Sequence, residues 1–331
     1  MPASAKTQFS LVIPVYKNEA NIPDLLRALN TSILAESPAD AEVVFVVDGS
    51  PDRSAELLRA HLDSQPWSSQ LILHSRNFGS FAAIRTGLIA AKGEIIAVMT
   101  ADLQEPSELI RQFRSILSQA EVEVVFGQRM ARQDGALSNF LAETFWYLYR
   151  QLVLPDVPPG GLDVFGISRR VRDVVLSISE PNSSLVAQIL WVGFKRTFIP
   201  YARQPRRVGK SAHGFRRKLT YMIDSVISFT DLPIMLLVWI GLVGLVVTGF
   251  AALVTATAWL MNLVPVQGYT PLMLMLAFGF SFLLLSQGIL GLYLWRAFEN
   301  TKRRPLSIVS DHVVFERITD CLPANNGTDE H

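Results

Sequence analysis

The chain has 331 residues, 50% of them hydrophobic, and its 30 lysines and arginines nearly balance 29 aspartates and glutamates, for a net charge of +1. That total is uninformative about partners, so the distribution of charge has to be read instead. Cys321 is the only cysteine, which excludes an intrachain disulfide and suits a reducing compartment.

Lys6 is followed by a short apolar run, Phe9–Val15, interrupted by Pro14 and ending in polar residues rather than a cleavage site, so no signal peptide is expected. Phe9–Val15 and Glu42–Val47 read as strands flanking an amphipathic helix, Ile22–Leu34, which makes a βαβ unit. Asp52–Leu62 is predicted as a helix, Leu71–His74 as a strand, Ser80–Ala91 as a helix, and Ile95–Met99 and Val122–Gly127 as strands. Such alternation predicts an α/β domain with a parallel, doubly wound sheet, whose ligands bind beyond the carboxyl ends of the strands. No fixed-period repeat or low-complexity tract is present, and only Ala324–His331 reads as disordered.

Leu232–Trp295 contains no Asp, Glu, Lys, Arg or His. About 20 apolar residues cross a bilayer core of roughly 30 Å, so this stretch is long enough for two transmembrane helices. Pro265, Gln267, Gly268 and Pro271 place a turn within 262–271, leaving Leu232–Met261 and Leu272–Trp295 as the spans. Arg216, Arg217 and Lys218 precede them, and Arg296, Lys302, Arg303 and Arg304 follow. By the positive-inside rule the N-terminal domain and both termini are expected to be cytoplasmic. The expected organisation is a domain over 1–205, a basic juxtamembrane segment over 206–231, a hairpin over 232–295 and a cytoplasmic tail over 296–331. The α/β core is expected to be complete before Asp231. A soluble unit tethered to such a hairpin points to a substrate that stays in the membrane.

Three polar groups follow predicted strands: Tyr16–Glu19, Asp48-Gly49-Ser50 and Asp102-Leu103-Gln104. Gly-x-Gly-x-x-Gly and a Walker-type Gly-Lys-Ser/Thr after a strand are both absent. Asp48 can accept bonds from a nucleobase or ribose, or serve as a turn and helix cap. Asp102 and Gln104, one residue apart past a buried strand, can hold one hard divalent cation; alternatively, Asp102 starts the helix introduced by Glu105 and Pro106. Arg203, Arg206, Arg207, Lys210, Arg216, Arg217 and Lys218 form a cluster without an acidic residue. It reads as an anchor for anionic headgroups, as a phosphate clamp, or as both.

The chain resembles glycosyltransferase family 2, specifically the polyprenyl-phosphate glycosyltransferases that include dolichyl-phosphate mannose synthase and bacterial undecaprenyl-phosphate glucosyltransferases. The resemblance rests on Ser10-Leu-Val-Ile-Pro-Val-Tyr16 with Asn18-Glu19, Val47-Asp48-Gly49-Ser50, Ser75-Arg76-Asn77-Phe78-Gly79, Thr100-Ala-Asp102-Leu-Gln104, Leu162-Asp163-Val-Phe165, Trp191-Val-Gly193-Phe194 and Lys302-Arg-Arg-Pro-Leu306. It implies a GT-A fold in which Pro14, Tyr16, Glu19, Asp48 and Asp102 border the nucleotide-sugar and Asp102 with Gln104 holds Mg2+ or Mn2+. It further implies an inverting transfer of one sugar to polyprenyl phosphate, with Asp163 at the acceptor side and Arg129, Arg203, Arg207 and Lys210 on phosphate. Membrane lipids and a homotetramer are the other partners implied, and no nucleic acid is expected. Two departures stand out: Val47 and Thr100 occupy positions where the family usually has Asp. They motivate a rival reading, a non-catalytic membrane scaffold. A processive synthase would need a Gln-x-x-Arg-Trp motif, which is absent.

Overall fold

A computed structural model describes residues 7–130, 162–178, 184–204, 232–261, 269–302 and 304–317. Strands β1 (Phe9–Val15) and β2 (Ala41–Val47) are buried along their length, with Pro14 alone partly exposed. Continuous apolar runs of this kind need cover on both faces, which crossover helices supply to parallel strands. With β3 (Ser68–His74) and β4 (Ile95–Val98) they form four parallel strands in the order β4-β1-β2-β3. The crossovers are α1 (Ile22–Ala28), α2 (Ser54–Leu62) and α3 (Ser80–Ala90).

The helix expected over Ile22–Leu34 is split. Its last turn, Leu29–Ile33, is a π-turn in which the Leu34 amide donates to the Leu29 carbonyl at 2.9 Å, and the widened turn keeps both Leu29 and Ile33 buried. Leu11 and Ile13 of β1 pack with Leu25, Leu58, Leu109 and Phe113 in the main core. Val12 faces the other side, against α3. Gly87 permits that approach, since a Cβ there would lie 2.3 Å from Val12 Cγ1.

Helix α4 (Ser107–Ser118) buries Leu109, Ile110, Phe113 and Leu117, the spacing of a one-sided helix. Then come β5 (Val124–Arg129), β6 (Leu162–Ser168), α5 (Arg169–Ser177), α6 (Leu185–Trp191) and β7 (Arg196–Tyr201). The full sheet has eight strands in the order β7-β5-β6-β4-β1-β2-β3-β8. It is mixed, not wholly parallel as expected: β6 runs antiparallel to β4 and β5, and β8 (Val309–Phe315) antiparallel to β3. Antiparallel strands need no crossover helix, so strand–helix alternation carried no information about them.

Strand β8 also corrects the expected tail and the expectation that the α/β core is complete before Asp231. It returns to the edge of the sheet, where Gln70 pairs with Val314 and Ile72 with His312. The Ser75 amide donates to the Ile308 carbonyl at 3.0 Å, and Arg59 forms an ion pair with Asp311. Residues 304–317 accordingly belong to the same compact unit as the N-terminal domain.

The second unit contains α7 (Leu232–Leu260) and α8 (Tyr269–Thr301), of 29 and 33 residues. Pro271, assigned to the turn by sequence, lies in the first turn of α8, where its missing amide hydrogen has no helical partner to lose. Helix α8 also continues past Trp295 to Thr301. Among the described residues, no helix is long and apolar enough to cross a membrane. Many described side chains of both helices are apolar and uncovered, among them Trp239, Phe250, Leu276, Phe280 and Leu294. The turn residues 262–268, the basic segment 205–231, Lys6 and Ala324–His331 lie outside the described residues.

Candidate active site

The chain runs β1, β2, β3 in one direction across the sheet and then returns to place β4 on the other side of β1. This reversal opens a crevice at the carboxyl ends of β1 and β4, the place where open α/β sheets bind ligands. The loops leaving β1 and β4 each contain a non-glycine residue in the left-handed region, Lys17 at φ 54° and Leu103 at φ 53°. Such conformations cost on the order of 1–3 kcal/mol and are held only where surrounding bonds impose them.

The bonds around Lys17 are mutual. The Lys17 amide donates to Ser50 Oγ at 2.8 Å, the Glu19 amide to Asp52 Oδ2 at 3.0 Å, and the Arg53 amide back to Glu19 Oε2 at 3.1 Å. Glu19 therefore ties the β1 loop to the β2 loop. Tyr16 stands partly exposed above it, with the Lys17 ammonium 5.4 Å from its ring centre. Burial alone would raise the Asp52 carboxyl, but hydrogen bonds from the Ser50 and Ser54 hydroxyls and from the Glu19 and Ser54 amides outweigh it and hold the group below its ordinary value. Asp52 escaped the sequence reading; its position two residues after Ser50 was the available signal.

Asp48, expected beside the nucleotide, bonds within the protein. It is buried, and its Oδ1 accepts from His74 Nδ1 and the Phe78 amide, both at 2.8 Å, while Oδ2 accepts from the Gly79 amide at 2.7 Å. The carboxylate thus pins the Arg76–Gly79 loop ahead of α3, nearer to the alternative reading as a cap. His74 Nε2 continues to Thr86 Oγ1 at 2.9 Å, and Thr86 Oγ1 to Ser307 Oγ at 2.8 Å. Gly49, at φ 56°, is required here because a Cβ would lie 2.2 Å from the Arg76 carbonyl carbon.

The β4 loop holds the densest cluster. Asp102 lies five residues before α4, whose cap is Pro106, so it does not start that helix. Thr100 Oγ1 is 2.6 Å from both Asp102 Oδ1 and Glu105 Oε2, and the Thr100 amide donates to the same Glu105 oxygen at 3.2 Å. Gln104 Nε2 donates to the Gln204 carbonyl at 3.2 Å and the Gln204 amide to the Gln104 carbonyl at 2.9 Å. These two bonds bring the segment after β7 onto the β4 loop and place Arg203 within electrostatic reach of Glu105. Arg129 and Tyr201 end the paired strands β5 and β7. Burial raises the Tyr201 phenol and Glu105 raises it further. Arg129 and Arg203 oppose this, although no well-formed hydrogen bond reaches the hydroxyl.

Asp102, Gln104, Arg129 and Arg203 are thereby assembled from positions as far apart in sequence as Asp102 and Arg203. Asp163 falls at a bulge in β6, between Val164 opposite Gly127 and Leu162 opposite Gln128. Bulges occur next to active sites, where they re-aim a side chain; the Asp163 side chain itself lies outside the described residues, as do Arg206, Arg207 and Lys210.

The donor set suits a hard divalent cation. Asp102 offers a carboxylate. The Gln104 amide nitrogen is engaged by Gln204, which leaves its oxygen as the end available to a cation. One oxygen of Glu105, Oε1, is buried without a hydrogen-bond partner. Among the described residues no three His, Cys, Asp or Glu converge, so the protein would share the ion with substrate phosphates, as Mg2+ sites commonly do.

The profile of glycosyl transferase family 2 matches residues 10–177. The chain belongs to glycosyl transferase family 2. It is a glycosyltransferase, and the scaffold alternative is set aside. An uncharacterized glycosyltransferase of Bacillus subtilis is 31% identical over 92% of this chain and 94% of its own. The bactoprenol glucosyl transferase of Shigella phage SfV is 30% identical over 92% and 98%. Among solved structures, a mannosyltransferase from Pyrobaculum calidifontis in complex with GDP-mannose and Mn2+ aligns with a TM-score of 0.48 and 17% identity, covering 66% of this chain and 62% of that one. Membership of the family accords with a GT-A-like α/β fold, here with the mixed sheet described above.

Proposed function

We propose that the protein is an inverting transferase that moves one sugar from a nucleotide-sugar, of the UDP-glucose or GDP-mannose type, to polyprenyl phosphate at the cytoplasmic face of a membrane. The observation that carries the reading is the meeting of Asp102 and Gln104 with the Arg203 segment at the β1/β4 crevice. Acidic and amide oxygens stand there beside guanidinium groups, as a sugar diphosphate with its cation and a second phosphate would require. The similarity to bactoprenol glucosyl transferases supports the choice of acceptor.

In this reading Tyr16 and Glu19 border the nucleotide, with Pro14 beneath and Asp48 fixing the adjoining loop. Mg2+ or Mn2+, held by Asp102 and Gln104, would neutralise the departing diphosphate. Arg129 and Arg203, with Arg207 and Lys210 of the basic segment, hold phosphate oxygens. An oxygen of the acceptor phosphate bonds to the anomeric carbon as the bond to the nucleoside diphosphate breaks on the opposite face. Asp163 aligns the acceptor and stabilises positive charge developing on the sugar ring. It scarcely needs to act as a base, because a phosphate monoester with a second pKa of about 6 is already mostly dianionic at neutral pH.

The membrane assignment rests on α7 and α8. At 1.5 Å per residue each is longer than a roughly 30 Å hydrocarbon core, and no acidic or basic residue occurs between Leu232 and Trp295. The chain leaves the catalytic unit before α7 and rejoins it through β8 after α8. The basic residues Arg216, Arg217 and Lys218 ahead of the hairpin and Arg296, Lys302, Arg303 and Arg304 after it support a cytoplasmic placement of both ends. The test is incubation of the purified full-length protein with polyprenyl phosphate and a panel of radiolabelled nucleotide-sugars. One donor should yield label that extracts into organic solvent. Absence of such a product with every donor would refute the reading.

A further inference from the structure

Glu105 is the buried acid that the chemistry above leaves unused. It is 2% exposed. Its Oε2 accepts the Thr100 amide and lies 2.6 Å from the Thr100 hydroxyl, whereas Oε1 is buried without a partner. An orphaned acceptor of this kind costs about 1–3 kcal/mol, and more if it is charged. Because the Thr100 hydroxyl oxygen is 2.6 Å from both Asp102 Oδ1 and Glu105 Oε2, the two carboxyl groups are neighbours whose nearest oxygens lie at most about 5 Å apart, close to the roughly 4.2 Å that separates two oxygens flanking one cation at about 2.1 Å each.

The groups facing Glu105 are the Thr100 amide and hydroxyl, the Asp102 carboxylate and the Arg203 guanidinium, and none of them hydrogen-bonds Oε1. Tyr201, the other nearby polar group, makes no well-formed hydrogen bond through its hydroxyl. A divalent cation would satisfy the orphaned oxygen and both acids together.

We propose that Glu105, through Oε1, is the second carboxylate ligand of the divalent-cation site, supplying the charge that the Thr100 hydroxyl does not. The proposal rests on the cation site of the transferase reading, and its test does not depend on turnover. A role limited to stapling the Thr100–Glu105 turn would be kept by glutamine, whose amide oxygen accepts the same two bonds; a ligand role would not.

Binding of Mn2+ to the full-length protein is followed by the electron paramagnetic resonance of the free ion, with and without UDP or GDP. Glu105→Gln should weaken Mn2+ binding about tenfold or more, while nucleotide affinity measured in EDTA and the melting temperature stay near wild type. Thr100→Val, which removes the hydroxyl but keeps the acid, should change Mn2+ affinity less than about threefold, and Thr100→Asp added to Glu105→Gln should restore it. The proposal is overturned if Glu105→Gln binds Mn2+ within about twofold of wild type, if Thr100→Val is as damaging as Glu105→Gln, if Thr100→Asp fails to restore binding, or if the wild type binds no Mn2+. Should Glu105→Gln not fold, Glu105→Asp, one methylene shorter, carries the test: unchanged Mn2+ affinity overturns the proposal. Sugar transfer is scored in its own assay, so failure here leaves that reading to stand or fall separately.

Discussion

Asp102 is the site residue that sequence and structure place most alike: a carboxylate just past β4, outside α4, beside a glutamine whose oxygen is available. Asp102→Ala is expected to lower sugar transfer by about 100-fold or more while leaving the far-ultraviolet circular dichroism unchanged; transfer within a few fold of wild type would remove Asp102 from the site. Asp48 shows where residue-level reading stops. A carboxylate followed by Gly-Ser after a strand fits a nucleotide contact and a cap equally, and only the tertiary approach of Phe78 and Gly79 decides what its oxygens bond. Asp52 carries a pH signature. Its hydrogen bonds hold the folded carboxyl below the ordinary value near 3.8, so its stabilisation is present above that pH and is lost as pH falls through the folded value. Asp52→Asn should therefore cost about 1–2 kcal/mol at pH 7 through weakened hydrogen bonds. The gap in melting temperature from wild type should narrow below about pH 4; a gap constant from pH 7 to pH 3 would contradict this.

At the scale of elements, β1 to β4 with α1 to α3 were legible because parallel strands buried on both faces have continuous apolar runs and the crossovers have helical period. Strand β8 was not. Val313 and Phe315 alternate with exposed His312 and Val314, but the run is short, carries Asp311, and follows a long apolar stretch that invites reading the remainder as a tail. Its contribution is testable. Ending the chain after Arg303 removes the cover of β3 and the Ser307 end of the hydrogen-bonded series through Thr86 and His74 to Asp48. An uncovered strand edge promotes association, so the truncated protein should melt several degrees lower and aggregate in light scattering. Equal stability and a monodisperse profile would show that β8 is dispensable. His74→Ala should cost about 2 kcal/mol by removing one buried hydrogen bond each from Asp48 and Thr86, measured by chemical denaturation.

For the molecule as a whole, the position of β8 changes how α7 and α8 can be removed. A cut before Leu232 also discards an edge strand, so loss of activity after such a cut would not isolate the hairpin. The informative variant replaces 232–301 by a flexible linker that lets β8 return. It should keep nucleotide binding yet transfer to bilayer-embedded acceptor at least about tenfold more slowly, because encounter confined to the membrane plane is lost. Full activity at equal concentration would contradict the proposed coupling. Two long helices were legible in the sequence as an uncharged stretch; the return of the chain into the sheet was not, because pairing between segments more than two hundred residues apart leaves no local pattern. The central claim is that the acceptor is a lipid phosphate, and it is tested most directly by initial rates with the preferred donor and undecaprenyl phosphate, undecaprenol or no acceptor in matched vesicles. The account predicts organic-soluble glycosyl product with the phosphate alone, abolished by EDTA; equal product from the alcohol, or none from the phosphate, would contradict it.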